Sequence, residues 1–313
     1  MDVVLLFPGQ GSQKPGMGKD VAEAYPAAKD VFARADAALG TPLSQLCFEG
    51  PAEELTLTHN AQPALLAHGA AVWAATRDII GANVLAAAGH SLGELTAYHA
   101  ASSMRLEDGV RVVRRRGELM YESGVKRPGT MAAILGDTNR PVEEICAQAT
   151  QEAGTVVPAN YNCPGQLVLS GETAGVERAM ELCKEAGAKR AIKLNVSGAF
   201  HSPLMETAIG GLSEAIDQSD FSDPHFPVYA NVNAEPVTTA NRAKELLLRQ
   251  LWSPVRWTDE ILAMAQKYPD ALFVEMGPGN VLVGLVKKIA PNVKTATCGT
   301  AVEVAQLRER AAA

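Results

Sequence analysis

The chain has 313 residues, of which 47% are hydrophobic, 20% charged and 5% aromatic, enough for one large domain or for a large domain with a small one. Its formal net charge of −7 at pH 7, with no run of basic residues longer than three, argues against nucleic-acid binding. The short apolar stretch in "MDVVLLFPGQG" is not typical of a signal peptide, and no apolar run reaches membrane-spanning length, so we expect no membrane insertion.

The first 125 residues alternate strand-like apolar runs with helical patterns, which predicts an α/β fold. The helix predicted at 106–124 begins with acidic residues and ends at a glycine. In chain order, the predicted elements are strand 3–7, helices within 18–40, helix 63–79, strand 83–90, helix 91–101 and helix 106–124.

After residue 125 the order changes to strand, helix, two strands, helix and strand, which is the order of a ferredoxin-like unit. These elements are predicted at 130–136, 141–154, 155–160, 165–171, 173–188 and 190–196. We therefore expect a small subdomain over 127–197, inserted into a large domain formed by 1–126 and 198–313. The large domain is predicted to resume with strands at 226–232 and 271–277.

The cysteines indicate reduced thiols rather than a disulfide framework or a metal site. Their number is odd, they are scattered, and none has metal-ligand spacing. They are Cys47, Cys146, Cys163, Cys183 and Cys298. Reduced thiols are typical of the cytoplasm, where we expect the protein to reside.

The segment "AAAGHSLGEL" at 86–95 places Ser91 in the pattern G-x-S-x-G between a predicted strand and a predicted helix. This pattern is typical of a nucleophile elbow, a tight turn that strains the serine and exposes its hydroxyl. Small residues two positions away on either side let the strand and helix backbones approach closely. A serine that only caps the helix remains an equally good interpretation of the pattern alone.

A serine nucleophile needs a base, and His201 is the best candidate among the six histidines. It lies in "NVSGAFHSPLM" at 195–205, where small residues and a proline indicate a loop. His68 and His99 lie in helical patterns and are expected to pack or to face solvent. His90 adjoins the serine but is expected to point away from it. An isolated loop histidine is more often a surface residue, so the assignment of His201 depends on the elbow.

The arginines of "VRVVRRRGELM" at 110–120 separate on a helix. Arg116 shares its face with apolar residues, whereas Arg115 lies on the charged, solvated face. A buried arginine is costly unless it meets an anion. Two interpretations remain open: an internal salt bridge, or a clamp that binds a substrate carboxylate through two parallel hydrogen bonds.

The stretch "FPGQGSQ" at 7–13 ends the first predicted strand in a glycine-flanked turn. Neighbouring strands of an α/β sheet end on one rim, so its backbone amides and Gln10 could face the elbow, although a plain tight turn is the alternative. The stretch lacks the G-K-[ST] ending of a phosphate loop, which excludes nucleotide binding.

Seven motifs, in this order, resemble those of the malonyl-CoA:acyl carrier protein transacylases and of the related acyltransferase domains of polyketide and fatty acid synthases. The resemblance runs from residue 3 to about 289, nearly the whole chain. The motifs are "FPGQGSQ", "GHSLGE", "RRRGELM", "ANYNCPGQLVLSG", "GAFHS", "RQLWSPVRW" and "EMGPGNVLVGLVKKI". This resemblance implies an α/β-hydrolase-like core with a mainly parallel sheet and an inserted ferredoxin-like (βαββαβ) subdomain.

The resemblance also implies roles for particular residues. Ser91 would carry the acyl group, His201 would be its base, and Arg116 would bind the malonyl carboxylate. Gln10 and the backbone N–H of Leu92 would form an oxyanion hole. The backbone carbonyl of Gln250 would take the place of the third triad member. Asn160 and Asn162 would line the cleft.

The implied activity is transfer of malonyl from malonyl-CoA to the phosphopantetheine thiol of an acyl carrier protein, by a ping-pong mechanism without metal or redox cofactor. Alternatives are a thioesterase or other hydrolase with the same Ser–His site, a trans-acting polyketide synthase acyltransferase, and a silent carrier-binding subunit.

Two further expectations concern specificity and docking. In related synthase domains a phenylalanine at the position of Phe200 accompanies malonyl units and a serine often accompanies methylmalonyl units, so the resemblance implies malonyl selectivity. A ring that merely packs the loop is the alternative. Carriers of this kind are acidic, and the cluster Lys184, Lys189 and Arg190 is the candidate docking patch, with a solvated helix end as the alternative.

Overall fold

Two β-sheets and their flanking helices make up the computed structural model, which describes residues 1–312. The strands are β1 (Val3–Phe7), β2 (Val84–Gly89), β3 (Thr130–Leu135), β4 (Val156–Cys163), β5 (Gln166–Gly171), β6 (Arg190–Lys193), β7 (Val228–Tyr229), β8 (Pro236–Val237), β9 (Leu272–Met276) and β10 (Lys294–Cys298). The α-helices are α1 (Lys19–Ala24), α2 (Pro26–Leu39), α3 (Leu43–Glu49), α4 (Ala52–Thr56), α5 (Thr58–Ile80), α6 (Leu92–Ala100), α7 (Leu106–Lys126), α8 (Val142–Ala153), α9 (Thr173–Glu185), α10 (Ile209–Asp217), α11 (Ala240–Gln250), α12 (Trp257–Lys267), α13 (Val281–Ile289) and α14 (Ala301–Ala312).

The larger sheet has the strand order β10-β9-β1-β2-β7-β8. All neighbours are parallel except β7 and β8, which are antiparallel. Central strand β1 is buried along its whole length, with Leu5 and Phe7 in one hydrophobic cluster and Val4 and Leu6 in another. Helices therefore cover both faces, as a parallel sheet requires.

The smaller sheet has the order β4-β5-β3-β6, and every neighbouring pair is antiparallel. Helices α8 and α9 pack on one face around a separate cluster that includes Ile134 and Leu169. Its other face presents Met131 and Val168 to the cavity described below. The predicted fold class, a mainly parallel α/β core with an inserted antiparallel βαββαβ unit, is confirmed. The boundaries at 127 and 197 stay predictions.

Several predicted ends differ from the structure. Strand β7 ends at Tyr229 instead of 232, because Ala230 begins a turn in which its N–H donates to Glu235 O and Ala234 N–H donates to Ala230 O. Helix α7 continues through Gly124 to Lys126. A Cβ on Gly124 would lie 2.1 Å from Ser197 O, so this glycine allows the loop to pass close to the helix rather than ending it.

The sheet order brings distant segments to one rim. Strands β1 and β2 are neighbours, and a Cβ on Gly9 would lie 2.7 Å from His90 O, so the loop after β1 abuts the turn after β2. Helices α5 and α7 pack together beside this rim. Within residues 1–312, no helix is both long and apolar enough to cross a membrane.

Candidate active site

Ser91 lies in a strained turn between β2 and α6. Its backbone has φ 52° and ψ −110°, a region that residues other than glycine rarely adopt. Its side chain makes no capping hydrogen bond to α6. The interpretation of Ser91 as a simple helix cap is therefore wrong for this structure.

The glycines two positions away on either side allow this turn by their lack of a side chain. A Cβ on Gly89 would lie 1.9 Å from Gly93 C, and a Cβ on Gly93 would lie 2.1 Å from Phe7 O. Real Cβ atoms do not approach backbone so closely, so larger residues at either position would force the strand and helix apart. The G-x-S-x-G spacing thus follows from the close packing of β1, β2 and α6.

The Ser91 hydroxyl and the His201 ring form a hydrogen-bonded pair. Ser91 Oγ lies 2.8 Å from His201 Nε2, and His201 Nδ1 lies 2.9 Å from Gln250 O. Because a carbonyl oxygen only accepts, Nδ1 carries the proton of the neutral ring, which leaves Nε2 to accept from the serine hydroxyl. The backbone carbonyl stands where a serine hydrolase places a carboxylate.

The surroundings of His201 keep its ring neutral. Burial, reinforced by the positive charge of Arg116, lowers the pKa of His201 to about 3. At neutral pH the ring is therefore unprotonated and able to take a proton from Ser91. A neutral ring also avoids placing a second cation beside the Arg116 guanidinium.

Arg116 is buried in α7 and reaches the Ser91 hydroxyl directly. Its Nη2 donates to Ser91 Oγ at 3.1 Å and to Gln250 Oε1 at 2.9 Å, while its Nη1 donates to Gln62 Oε1 at 2.7 Å. Burial lowers the pKa of Arg116 to about 10, so the side chain remains a cation at neutral pH.

Arg116 forms no direct ion pair with a carboxylate among residues 1–312, so the internal salt-bridge interpretation is wrong for this structure. The carboxyl group that interacts electrostatically with Arg116 is that of Glu94. The Gln250 side-chain amide lies between the two side chains, since its Oε1 accepts from Arg116 and its Nε2 donates to Glu94 Oε2 at 2.7 Å. Only neutral oxygens accept from the guanidinium. A buried cation with this set of partners attracts an anionic ligand.

Arg115, the residue before Arg116 in α7, behaves as the helical spacing predicts. It points away from the cavity and forms surface ion pairs with Glu118 and Glu122 at 3.2 Å. Arg115 and Arg116 therefore differ in environment although they are adjacent in sequence.

The residues proposed for the oxyanion hole lie at the start of α6 and in the loop that follows β1. Leu92 is the first residue of α6, so its N–H has no acceptor one turn earlier in the helix. Gln10 lies in the loop that abuts His90, and its side-chain amide donates to Thr58 Oγ1 at 3.3 Å. Both residues line the cavity of Ser91.

This cavity has a volume of about 420 Å³ and lies between the two sheets. All the candidate residues line it except Gln250, which is buried beneath it. The candidates at its wall are Gln10, Ser91, Leu92, Arg116, Asn160, Asn162, Phe200 and His201. A larger cleft of about 940 Å³ shares only Gln166 with this cavity and contains neither the serine nor the histidine.

His90 and Asn162 form a separate pair at the cavity wall. His90 Nε2 lies 2.9 Å from Asn162 Oδ1, and the His90 ring packs against Trp257. His90 thus points away from Ser91, as adjacent positions at a sharp turn predict. Asn160 lines the same wall from β4.

The position of Phe200 is compatible with both of the alternatives that the sequence left open. Its side chain is buried in the main hydrophobic cluster, and it also lines the cavity next to His201. A role in acyl-group selectivity stays a prediction.

Sequence reasoning missed four buried polar residues beneath the elbow. They are Gln62, Glu94, Asn231 and Glu260. Glu94 lies one turn after the serine on α6, and burial raises its pKa to about 7. Glu94 could have been found from the sequence, because a glutamate at a helix position that faces the interior is unusual. The amide residues Gln62 and Asn231 belong to no sequence pattern that indicates their position.

The basic cluster suggested for docking is exposed on the small subdomain. Lys184 lies at the end of α9, and Lys189 and Arg190 follow at the start of β6. A docking role for these residues stays a prediction.

Comparison with models of known protein families shows which family this chain belongs to. A family model described as an acyl transferase domain matches residues 4–304, which is nearly the whole chain. The chain belongs to the acyl transferase family.

Three members of the acyl transferase family show how close the likeness is. The malonyl CoA-acyl carrier protein transacylase of Bacillus subtilis is 49% identical over 293 residues, 94% of this chain and 92% of that protein. The crystal structure of the acyl-carrier-protein-S-malonyltransferase from Bartonella henselae has a TM-score of 0.95 at 40% identity and covers 100% of both chains. A malonyl-transacylase in complex with its type II polyketide synthase acyl carrier protein has a TM-score of 0.92 at 37% identity, covering 99% of this chain and 100% of that chain.

Proposed function

We propose that this chain transfers malonyl groups from malonyl-CoA to the phosphopantetheine thiol of an acyl carrier protein, with Ser91 as the acyl carrier in a ping-pong mechanism. The observation that carries the proposal is the buried Arg116 guanidinium, which donates to Ser91 Oγ and has no directly paired carboxylate among the described residues. The names of the relatives, all malonyl transferases or transacylases, support the same substrate.

In the first half-reaction Ser91 Oγ attacks the thioester carbonyl while His201 Nε2 accepts the hydroxyl proton. The negative charge that develops on the carbonyl oxygen is stabilised by the Leu92 N–H and by Gln10. The tetrahedral intermediate then collapses, the C–S bond breaks, and His201 returns the proton to the departing coenzyme A thiolate. Malonyl-Ser91 and free coenzyme A result.

The second half-reaction is the same chemistry in reverse. The phosphopantetheine thiol of the carrier gives its proton to His201 and attacks the malonyl ester carbonyl. The bond to Ser91 Oγ breaks, and His201 reprotonates the serine. The enzyme returns to its starting state without a redox change, so the scheme needs no metal or redox cofactor.

Arg116 gives the site its preference for a dicarboxylic acyl group. The free malonyl carboxylate supplies the direct ionic partner that the desolvated guanidinium lacks among the described residues, and such charge-assisted pairs are stronger than neutral hydrogen bonds. A hydrolase with the same Ser–His pair is the competing function. A buried cation beside the nucleophile favours malonyl transfer, because a simple esterase has no anionic group to bind there.

The carrier is the second partner, and the exposed cluster Lys184, Lys189 and Arg190 is its proposed docking surface. Acidic carriers need a local basic area on a chain whose net charge is −7. Reversing the charges of Lys189 and Arg190 should raise the KM for carrier and leave the KM for malonyl-CoA unchanged. An unchanged KM for carrier would remove this surface from the proposal.

The cytoplasm is the proposed location. The five cysteines are all free and buried, and reduced thiols are typical of that compartment. The fatty acid and polyketide pathways both use carriers with a phosphopantetheine thiol, so the chemistry proposed for the second half-reaction is the same in either pathway.

Mass spectrometry tests the proposal directly. After incubation with malonyl-CoA and proteolysis, the peptide that contains Ser91 should carry one malonyl group, and the Ser91→Ala variant should carry none. An adduct that persists in Ser91→Ala would place the nucleophile elsewhere.

A further inference from the structure

We propose that Asn231 is a positioning residue that holds the Ser91 turn in its reactive conformation, with Glu94 holding its backbone N–H and Glu260 its side-chain amide. The inference rests on the proposed function of Ser91 as the acyl carrier. It concerns a residue that touches neither the reacting atoms nor the cavity, and that acts through the backbone of the serine.

The Asn231 side chain binds peptide groups on both sides of the turn. Its Oδ1 accepts from the Ser91 N–H at 2.8 Å, and its Nδ2 donates to Gly89 O at 2.8 Å. The Asn231 side-chain amide therefore supplies, just beyond the end of β2, the hydrogen bonds that a neighbouring strand would otherwise make. These hydrogen bonds fix the backbone conformation of Ser91 and thereby the position of its hydroxyl.

The partners of the amide allow only one orientation. Asn231 Nδ2 also donates to Glu260 Oε1 at 3.0 Å, and Asn231 Oδ1 also accepts from Gln250 Nε2 at 3.2 Å. A flipped amide would aim its NH₂ group at the Ser91 N–H and its oxygen at the Gly89 carbonyl and the Glu260 carboxyl oxygen. The chemistry of its neighbours thus specifies the observed orientation.

The backbone of Asn231 is fixed as firmly as its side chain. Its N–H donates to Glu94 Oε2 at 3.1 Å, and its carbonyl accepts from the Arg256 N–H at 2.9 Å. Every polar group of this fully buried residue therefore has a partner. Glu94 and Glu260 each use one oxygen to hold Asn231 from a different helix, α6 and α12.

This arrangement matters because the serine backbone is strained. At φ 52° and ψ −110° the Ser91 peptide would relax if it were released. Gln250 Nε2 donates to Ser91 O at 3.0 Å, so side-chain amides bind both the N–H and the carbonyl of the serine. Relaxation would move Oγ away from His201 Nε2 and turn the Leu92 N–H away from the developing oxyanion.

The test compares Asn231→Ala and Asn231→Asp with Asn233→Ala, which removes a half-buried asparagine amide from the same turn. Two rates are measured on the full chain: reaction of Ser91 with a fluorophosphonate, and single-turnover acylation by malonyl-CoA. A buried donor and acceptor left unpaired should slow both rates by about ten- to a hundredfold in Asn231→Ala. Asn231→Asp should be slowed at least as much, and Asn233→Ala should match the unmodified chain.

Measurement of malonyl-CoA binding distinguishes a positioning role of Asn231 from general damage to the cavity. In a Ser91→Ala background, the Kd for malonyl-CoA should change by less than about twofold on adding Asn231→Ala, since Arg116 still binds the carboxylate. Undiminished rates in folded Asn231→Ala, or a Kd that weakens in parallel with the rates, would overturn the inference.

A second variant covers the case in which neither Asn231 variant folds. Glu260→Met removes one acceptor of the Asn231 amide and lies away from Ser91, so it should slow both rates, but by less than the Asn231 variants. Unchanged rates would overturn the inference.

Failure of the proposed function would give a different result from failure of this inference. The unmodified chain would then form no acyl-enzyme with malonyl-CoA, while its fluorophosphonate rate would still report on Asn231.

Discussion

Arg116 Nη2 lies 3.1 Å from Ser91 Oγ, the same oxygen that lies 2.8 Å from His201 Nε2. One hydroxyl thus accepts from a buried cation and donates to a neutral base. In the proposed mechanism the cation stabilises the alkoxide character that develops as the base removes the proton, and its charge helps to lower the pKa of that base beforehand. In this proposed mechanism, substrate recognition and nucleophile activation therefore share one side chain.

Arg116→Ala should alter specificity more than chemistry. Loss of one side of a buried charge pair costs about 2–5 kcal/mol, so kcat/KM for malonyl-CoA should fall steeply. Acetyl-CoA brings no carboxylate, and its transfer should hold or rise. The measurement is kcat/KM for both donors with one carrier.

Arg115→Ala is the matched control, because it removes an arginine of the same helix whose ion pairs lie on the surface. Exposed pairs contribute about 0–1 kcal/mol, so this variant should behave like the unmodified chain. Equal losses for malonyl and acetyl donors in Arg116→Ala would show that Arg116 only supports the structure.

The pH dependence of acylation should report on His201. With a pKa of about 3, the ring stays neutral as the pH falls from 7, and the rate should decline only as the pH approaches that value. Arg116 is one of the causes that lower this pKa, so Arg116→Ala should move the acid limb to higher pH. Brief pH jumps with a fluorophosphonate measure Ser91 reactivity before acid unfolding intervenes. An acid limb that stays in place would show that another group governs the rate.

Ser91→Gly and Ser91→Ala should separate strain from chemistry. Both remove the hydroxyl and should form no acyl-enzyme. At φ 52° glycine avoids the cost that alanine bears, so Ser91→Gly should be more stable than Ser91→Ala by about 1 kcal/mol in urea unfolding.

Ser102 provides the control for strain, since it also has a positive φ, 59°, but lies outside the site. Its glycine and alanine variants should show the same stability order and keep full activity. Equal stability of the two Ser91 variants would mean that the turn stores no strain.

Phe200→Ser should weaken the selection against branched acyl groups. A filled pocket discriminates one methyl group by about 1–3 kcal/mol, and the ring lines the cavity beside His201. The ratio of kcat/KM for malonyl-CoA to that for methylmalonyl-CoA should therefore narrow. Phe226→Ser, which removes a ring that packs against Trp73, is the control. An unchanged ratio with a lower Tm would make Phe200 a packing residue only.

Short-range patterns predicted the elements that depend on local spacing. The elbow followed from glycines on either side of Ser91, and the inward direction of Arg116 followed from the helical period. The strand predicted to reach 232 was wrong, because the turn from Ala230 to Glu235 is set by a hydrogen bond and not by the apolar pattern.

The network beneath the elbow could not be derived in the same way. Asn231 meets Ser91, Glu94 and Glu260 only because β7 lies beside β2 and α12 packs nearby. Asparagine in an apolar run is compatible with a turn, a cap or a strand end. Partners far apart in sequence decide its role, and no local pattern encodes them.

Radiolabelled malonyl-CoA tests the central claim most directly. The purified chain is labelled, freed of excess donor, and divided between buffer alone and buffer with carrier that bears its phosphopantetheine arm; Ser91→Ala is the control. We expect label on Ser91 that survives in buffer and transfers to the carrier thiol when carrier is added. Release of the label as free malonate in buffer alone, or absence of label on Ser91, would contradict malonyl transfer through this serine.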